Sequence, residues 1–156
     1  MKNQKLHIID IDTQQIRALY PDLLAKSPIW SCDGMSIFVV FEENNSQNLY
    51  RVNTHSLVKE KLYSDITSIK QDCATDKFYV MQSSHRKVFY FDLNNLELME
   101  TGINEYAAYA RNWAVANDEF ILLKDNQLTK TSLITLYNQA IKLPQGSFKY
   151  FQLKNN

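Results

Sequence analysis

The sequence predicts an all-β fold assembled from repeated four-stranded antiparallel units. Three observations carry that expectation: similar segments recurring about every forty residues, short apolar stretches bounded by Asn, Asp and Ser, and a scarcity of helical periodicity. Ile11, Val52 and Leu93 are evenly spaced, each beside a short polar turn, and Leu136 follows at nearly the same interval. Upstream of these turns, Phe38, Phe78 and Phe120 recur with the same period.

Each segment can be justified in turn. Leu6 to Asp12 and Ile16 to Tyr20 read as two strands flanking a polar turn. Next, Cys32-Asp33-Gly34-Met35 is a tight turn, with Asp as a side-chain cap and Gly free to take positive φ. Ile37 to Phe41 is apolar throughout, as a strand buried on both faces should be. Asn44-Asn45-Ser46 then reverses the chain into the alternating strand Asn48 to Asn53. Val58-Lys59-Glu60-Lys61-Leu62 interleaves charges with apolar residues, which suits an outer edge that must not pair with other molecules. The same order follows from Ile66 onward. Asn104 to Asn117 is open between strand and helix, because Tyr106, Tyr109, Ala110 and Trp113 also fall at helical spacing.

A repeat of about forty residues, with four short strands in each copy, has the period of a β-propeller blade. The expected division is a partial blade at 5–20, blades at about 27–63, 66–102 and 105–145, and a closing strand at 148–153. That is about three full blades plus a partial one. Either the last strand joins the first two in a small closed ring, or the chain is a piece of a larger ring. The piece is favoured, because the first unit lacks its inner strands.

Ser27-Pro28-Ile29-Trp30-Ser31-Cys32-Asp33-Gly34-Met35-Ser36-Ile37 resembles the S-P-x-W-S-x-D-G-x-x-I signature of TolB-type β-propeller repeats. The strand Asn48 to Asn53 and the turn at Thr54 continue that resemblance. By period it covers the whole chain, by motif only residues 27–54. It implies a non-enzymatic sensing or protein-interaction domain, such as the extracytoplasmic, periplasmic part of a membrane-anchored transcriptional regulator resembling the CadC/ToxR type. Its alternative implication is the propeller cap of a prolyl oligopeptidase-type serine peptidase.

Composition narrows the function. The chain has 156 residues, 45% of them apolar, enough for one ordinary core. Lys plus Arg and Asp plus Glu balance at 17 each, so the segment lacks the basic face that nucleic acid requires. No apolar run approaches the length of a membrane span. With three glycines, there is little from which to build a phosphate-cradling loop, and neither a nucleophile elbow nor a zinc-protease motif occurs. No catalytic residue, metal site or cofactor is expected. His7, His55 and His85 read as surface or strand-edge residues, and Ser83-Ser84-His85 as a polar turn. Cys32 and Cys73 are expected as unpaired thiols ahead of a bridge. Trp30 and Trp113 are expected in the core between blades. Tyr106, Tyr109 and Arg111 are the candidate ligand-binding residues, on an inner strand facing the central channel. A protein or small-ligand partner is expected, with self-association if the chain is a fragment.

Overall fold

The computed structural model describes residues 4–82, 84–85, 87–104, 112–124 and 127–142. Their regular structure is strand: β1 (Leu6–Ile9), β2 (Ile16–Leu19), β3 (Leu24–Trp30), β4 (Ser36–Glu43), β5 (Ser46–Asn53), β6 (Lys59–Ser64), β7 (Ile66–Asp72), β8 (Lys77–Gln82), β9 (Lys87–Phe91), β10 (Met99–Asn104), β11 (Trp113–Ala116), β12 (Glu119–Lys124), β13 (Gln127–Ser132) and β14 (Asn138–Lys142). These form a two-stranded sheet β1-β2 and three four-stranded sheets, β3 to β6, β7 to β10 and β11 to β14, each in sequence order. Blade-type sheets are therefore present as three full copies and one partial copy. Trp113 to Ala116 resolves its segment as strand, whereas 105–111 and the expected closing strand 148–153 lie outside the described residues. Two compact units divide the chain, Met1–Ile69 and Lys70–Asn156.

Burial on both faces of the second strand explains its unbroken apolar run. Phe38, Val39, Val40 and Phe41 of β4 have no solvent exposure. In the first unit, one face of this sheet packs Ile37, Val39 and Phe41 with Tyr50 and Val52 against Leu6 and Leu19 of the two-stranded sheet. In the second unit, Tyr79, Met81 and Val88 pack against Trp113, Val115, Phe120 and Leu122. Trp113 stacks on Phe120 there, with ring centroids 5.4 Å apart.

The turns repeat as faithfully as the strands. At the link between third and fourth strands, a side-chain oxygen accepts backbone N–H bonds two or three residues on. Asp10 takes Thr13, Asn53 takes His55 and Ser56, Asp92 takes Asn94 and Asn95, and Ser132 takes Ile134 and Thr135. These four positions, rather than Ile11, Val52, Leu93 and Leu136, set the register. One helical-turn length beyond three of them the chain enters left-handed backbone, at Gln14, Leu57 and Leu136. The second-strand register also slips by one. Ile37, Phe78 and Phe120 each pair with the residue before the turn position, namely Val52, Phe91 and Thr131. Phe38 therefore lies on the opposite face, since one residue reverses side-chain direction in a strand.

The TolB-like motif proves to be turn chemistry. Ser31 Oγ donates to Asp33 Oδ1 at 2.6 Å and accepts the Ser36 N–H at 2.9 Å. Asp33 Oδ1 also accepts the Met35 N–H, and Gly34 takes φ +71° with open space where a Cβ would stand. Asn44 and Asn45 both have positive φ and join Glu43 to its partner Ser46, the two-residue primed turn that matches strand twist.

Two expectations are corrected. Trp30 is 56% exposed whereas Trp113 is 2% exposed. A bulge between Lys26 and Ile29 shifts β3 by one residue and sets Trp30 opposite Ile37. By distance from the following turn, Trp30 corresponds to Val115, which pairs with Phe120. Both point toward the preceding sheet. For Val115 that sheet has four strands, and for Trp30 only two, too few to cover an indole. The cysteines are the second correction, because neither is free and both are disulfide-bonded. They stand one repeat period apart, in equivalent turns after the first strand of their sheets.

Truncating the two tryptophans should give opposite results. Trp113→Ala is expected to cost about 3–5 kcal/mol in urea unfolding, and Trp30→Ala less than about 1 kcal/mol. Equal costs would contradict the two environments. Asp33 supplies a pH test. The Ser31 hydroxyl, then the Met35 N–H, hold its carboxyl below the ordinary value of 3.8. Its folded pKa lies below its unfolded one, so its contribution is present above the unfolded value and fades as pH falls through the folded value. Asp33→Asn should flatten the acid limb of the stability profile; an unchanged limb would mean that these bonds add nothing.

Candidate functional site

In each of the two units, exposed apolar side chains gather at the end of its own sheets that bears the first-to-second and third-to-fourth strand turns. In the first unit, Ile9, Ile11 and Ile16 flank the β1–β2 turn, Met35 lies in the β3–β4 turn, and Val58 follows the β5–β6 turn, each more than half exposed. In the second unit, Leu96 sits in the β9–β10 link and Ile134, Leu136 and Tyr137 in the β13–β14 link, all exposed. The second-to-third strand turns at the other end carry polar residues instead, Asn44–Asn45 and Ser84–His85. The local reason lies in the turn. Its capping oxygen fixes the backbone, so that one side chain of the link packs inward, Leu57 or Leu133, while neighbours such as Val58 and Ile134 are left outward.

In the second unit this end also holds a cleft of about 270 Å³, lined by Lys77, Tyr79, Tyr90, Glu100, Thr101, Asp118, Leu133 and Ile134. Lys77 opens β8, and Tyr79 and Tyr90 are direct cross-strand partners. Asp118 belongs to the two-residue turn Asn117–Asp118, where both residues have positive φ. Lys77 Nζ lies 3.5 Å from Asp118 Oδ1 and 5.4 Å from the centre of the Tyr90 ring. The ammonium is thus held between a carboxylate and an aromatic face.

Beneath that pair, Asp72 is 4% exposed. Its two oxygens accept the Ala74 N–H at 3.1 Å and the Asp118 N–H at 3.3 Å. A carboxylate at the end of β7 therefore sets the position of the β11–β12 turn. Burial, then the negative charges of Asp118 and Asp72, push the Tyr79 phenol well above the ordinary tyrosine range, so it stays neutral. Gly102 takes φ +79°, and a Cβ there would meet Leu136 at 3.1 Å, which lets the β13–β14 link close over β10. Chemically the cleft offers a half-exposed cation, carboxylates and a neutral phenol around an apolar lip. That set can both donate and accept hydrogen bonds. Among its described residues there is no serine, cysteine or histidine to act as a nucleophile–base pair.

The candidate residues Tyr106, Tyr109 and Arg111 lie outside the described residues. The histidines are scattered. His7 Nδ1 lies 3.2 Å from the Lys5 carbonyl, His55 donates its backbone N–H to the Asn53 side chain in the β5–β6 turn, and His85 meets its exposed neighbour Ser84 at 2.8 Å. Among the described residues, no three His, Cys, Asp or Glu side chains converge as a metal site. No helix among them is long and apolar enough to cross a membrane. The sequence did not point to the cleft. Lys77 and Asp118 occupy the turn regions of two repeats, one full period apart, and that shared spacing was the available signal.

Comparison with solved structures bears on the fold. TolB from Acinetobacter baumannii superposes with a TM-score of 0.71 at 16% identity, over 92% of this chain and 38% of its own. The fold is a TolB-type β-propeller. The propeller domain of Myceliophteria_thermophila Cps50 (Swd1) matches at TM-score 0.62 and 11% identity, over 91% of this chain and 54% of its own. A puromycin-hydrolyzing peptidase of Mycobacterium tuberculosis matches at TM-score 0.64 and 12% identity, over 84% of this chain and 23% of its own. The chain therefore spans well under two thirds of these structures. No protein-family model matches it, and no curated protein does.

Removing the propeller's buried carboxylate should show how the cleft is held. Asp72→Ala leaves two backbone N–H groups without their acceptor and is expected to cost about 2–4 kcal/mol in urea unfolding, with Asp72→Asn retaining part of the stability. A cost below about 0.5 kcal/mol would mean that the β11–β12 turn does not depend on Asp72.

Proposed function

We propose that this chain is a non-enzymatic interaction domain, part of a propeller protein that docks a protein partner on the turn-bearing end of its sheets. The single observation behind the proposal is the exposure, within each unit, of Ile, Leu, Met, Val or Tyr side chains at that end, whereas at the other end Ile141 alone of the described residues is an exposed large apolar side chain. Apolar surface concentrated in this way is the usual mark of a docking face. The cleft around Lys77 and Asp118 supplies polar groups with which such a partner's side chains can register.

The finer reading is a sensing domain in the extracytoplasmic part of a membrane-anchored transcriptional regulator. The disulfide-bonded state of both cysteines supports it, since such bonds persist in oxidising compartments such as the periplasm. A second reading, the propeller cap of a serine peptidase, draws on the likeness to the puromycin-hydrolyzing peptidase. A nucleophile elbow elsewhere in the same polypeptide would decide for it; a winged helix and an apolar span of about twenty residues would decide for the regulator.

Site-specific photo-cross-linking in the source cells tests the proposal. A photoreactive residue at Val58 or Ile134 should give discrete higher-mass adducts, and one at Asn45, on the polar end, should give none. Adducts of equal yield from Asn45 would overturn the assignment of the docking end.

A further inference from the structure

The cleft of the second unit contains one ammonium of its own, and holds it loosely. Lys77 Nζ stands 3.5 Å from Asp118 Oδ1, whereas the other four ion pairs of the described residues close at 2.6–2.8 Å. An ammonium is best bonded to a carboxylate at about 2.7–2.9 Å, so Lys77 keeps the Coulomb attraction without the best hydrogen-bond geometry. Its side chain is 37% exposed, and a pair as exposed as this contributes little to stability. Lys77 can therefore swing its charge into water at small cost.

The carboxylate facing it is fixed. The Asp118 N–H donates to Asp72 Oδ2 at 3.3 Å, and the Asp118 carbonyl accepts the Leu133 N–H at 2.8 Å, so the residue is tied on both sides. Asp72 is buried and directs its oxygens at backbone N–H groups. Tyr90 is a second fixed wall, held by its ladder pairing with Tyr79, and its ring centre lies 5.4 Å from the Lys77 ammonium. Leu133 and Ile134 form the apolar lip. In this lining two carboxylates, Glu100 and Asp118, stand against the single ammonium of Lys77, with Asp72 beneath. Besides burial, the charges of Asp118 and Asp72 raise the Tyr79 phenol, as a negative floor should. At about 270 Å³ the cleft is smaller than the roughly 300–1,000 Å³ of drug-sized sites, and its size suits one side chain.

We propose that this cleft takes an arginine side chain of the docked protein, which displaces the Lys77 ammonium from Asp118 and Tyr90. A guanidinium is planar and weakly hydrated, so it stacks on an aromatic face and presents paired N–H groups to a carboxylate, both of which an ammonium does poorly. The Tyr90 ring supplies the face, Asp118 the carboxylate, and Leu133 with Ile134 an apolar cover for the methylene stem. Charge complementarity selects the cation, and the clamped Asp118 backbone means that little has to be ordered when it arrives. The inference rests on the docking role of this end of the sheets and names the residue that the partner presents.

The probe is Nα-acetyl-arginine N-methylamide, titrated at low ionic strength into the isotope-labelled full chain and followed by backbone amide chemical shifts. Saturable shifts are expected at Asp118, Leu133 and Ile134. The lysine analogue should bind about fivefold more weakly, and the citrulline analogue, alike in shape but uncharged, about tenfold more weakly or worse. Asp118→Asn keeps the backbone bonds and suits positive φ, and it should weaken arginine binding about tenfold. Lys77→Ala removes the competing ammonium and should strengthen binding about threefold. Circular dichroism should show both variants folded, and the Lys77→Ala result decides even if Asp118→Asn does not fold. Three results would each overturn the proposal. One is the absence of saturable shifts. Another is an affinity unchanged in folded Asp118→Asn, which would mean adsorption elsewhere. The third is tighter binding of the glutamate analogue, lost in Lys77→Ala, which would make the cleft an anion site. No partner protein enters this titration, so its failure leaves the cross-linking test at Val58 and Ile134 to decide the docking end by itself.

Discussion

A sheet that is apolar on both faces cannot stand alone in water, and this constraint governs the molecule. Phe38 and Val40 point one way from β4, Val39 and Phe41 the other, and none is exposed. Such a sheet must be covered twice, and within each unit a neighbouring sheet supplies one of those covers. The two internal clusters, one built on Leu6, Phe41 and Tyr50 and one on Tyr79, Trp113 and Phe120, are two instances of one packing solution. Where the repetition is incomplete, at the two-stranded sheet, an indole stands in solvent.

The second governing element is the turn. With few glycines, the chain uses side-chain oxygens and tolerant residues to turn corners. Asp10, Asn53, Asp92 and Ser132 differ in chemistry but share one geometry, an oxygen that accepts backbone N–H groups just ahead of it. Asn44–Asn45 and Asn117–Asp118 take left-handed backbone in pairs, where short polar side chains are the best substitutes for glycine. Since the turns are fixed by their own chemistry, their outward side chains are free to be apolar and to serve recognition.

The strands, their order and the repeat were legible because alternation and period are properties of the chain itself. What failed did so for physical reasons. Phe38 was matched to Phe78 and Phe120 by residue type, yet the ladder aligns Ile37 with them, a slip invisible when both neighbours are buried. Trp30 and Trp113 stand at comparable places in their repeats by sequence, but a bulge at Ser27 and Pro28 and the strand register assign Trp30 to the place of Val115. The oxidised state of Cys32 and Cys73 had its signal in their one-period separation, which counts only once that spacing is known to mean equivalent turns. The Lys77–Asp118 cleft draws its residues from β8, β9, β10, the β11–β12 turn and the β13–β14 link, and no local pattern announces such a convergence.

The sequence-order arrangement of the sheets has a further consequence for how the chain acquires its structure. Each strand pairs with the one just before or after it, so most backbone ladders close over only a few intervening residues. Loop-closure entropy is small for such contacts, and topologies rich in them reach the native state quickly for β proteins. A hairpin such as β4–β5 can form before distant residues exist, including while a ribosome is still extending the chain. What such hairpins leave to be done is the covering of apolar side chains such as Ile121 and Leu123, which are buried in the folded chain.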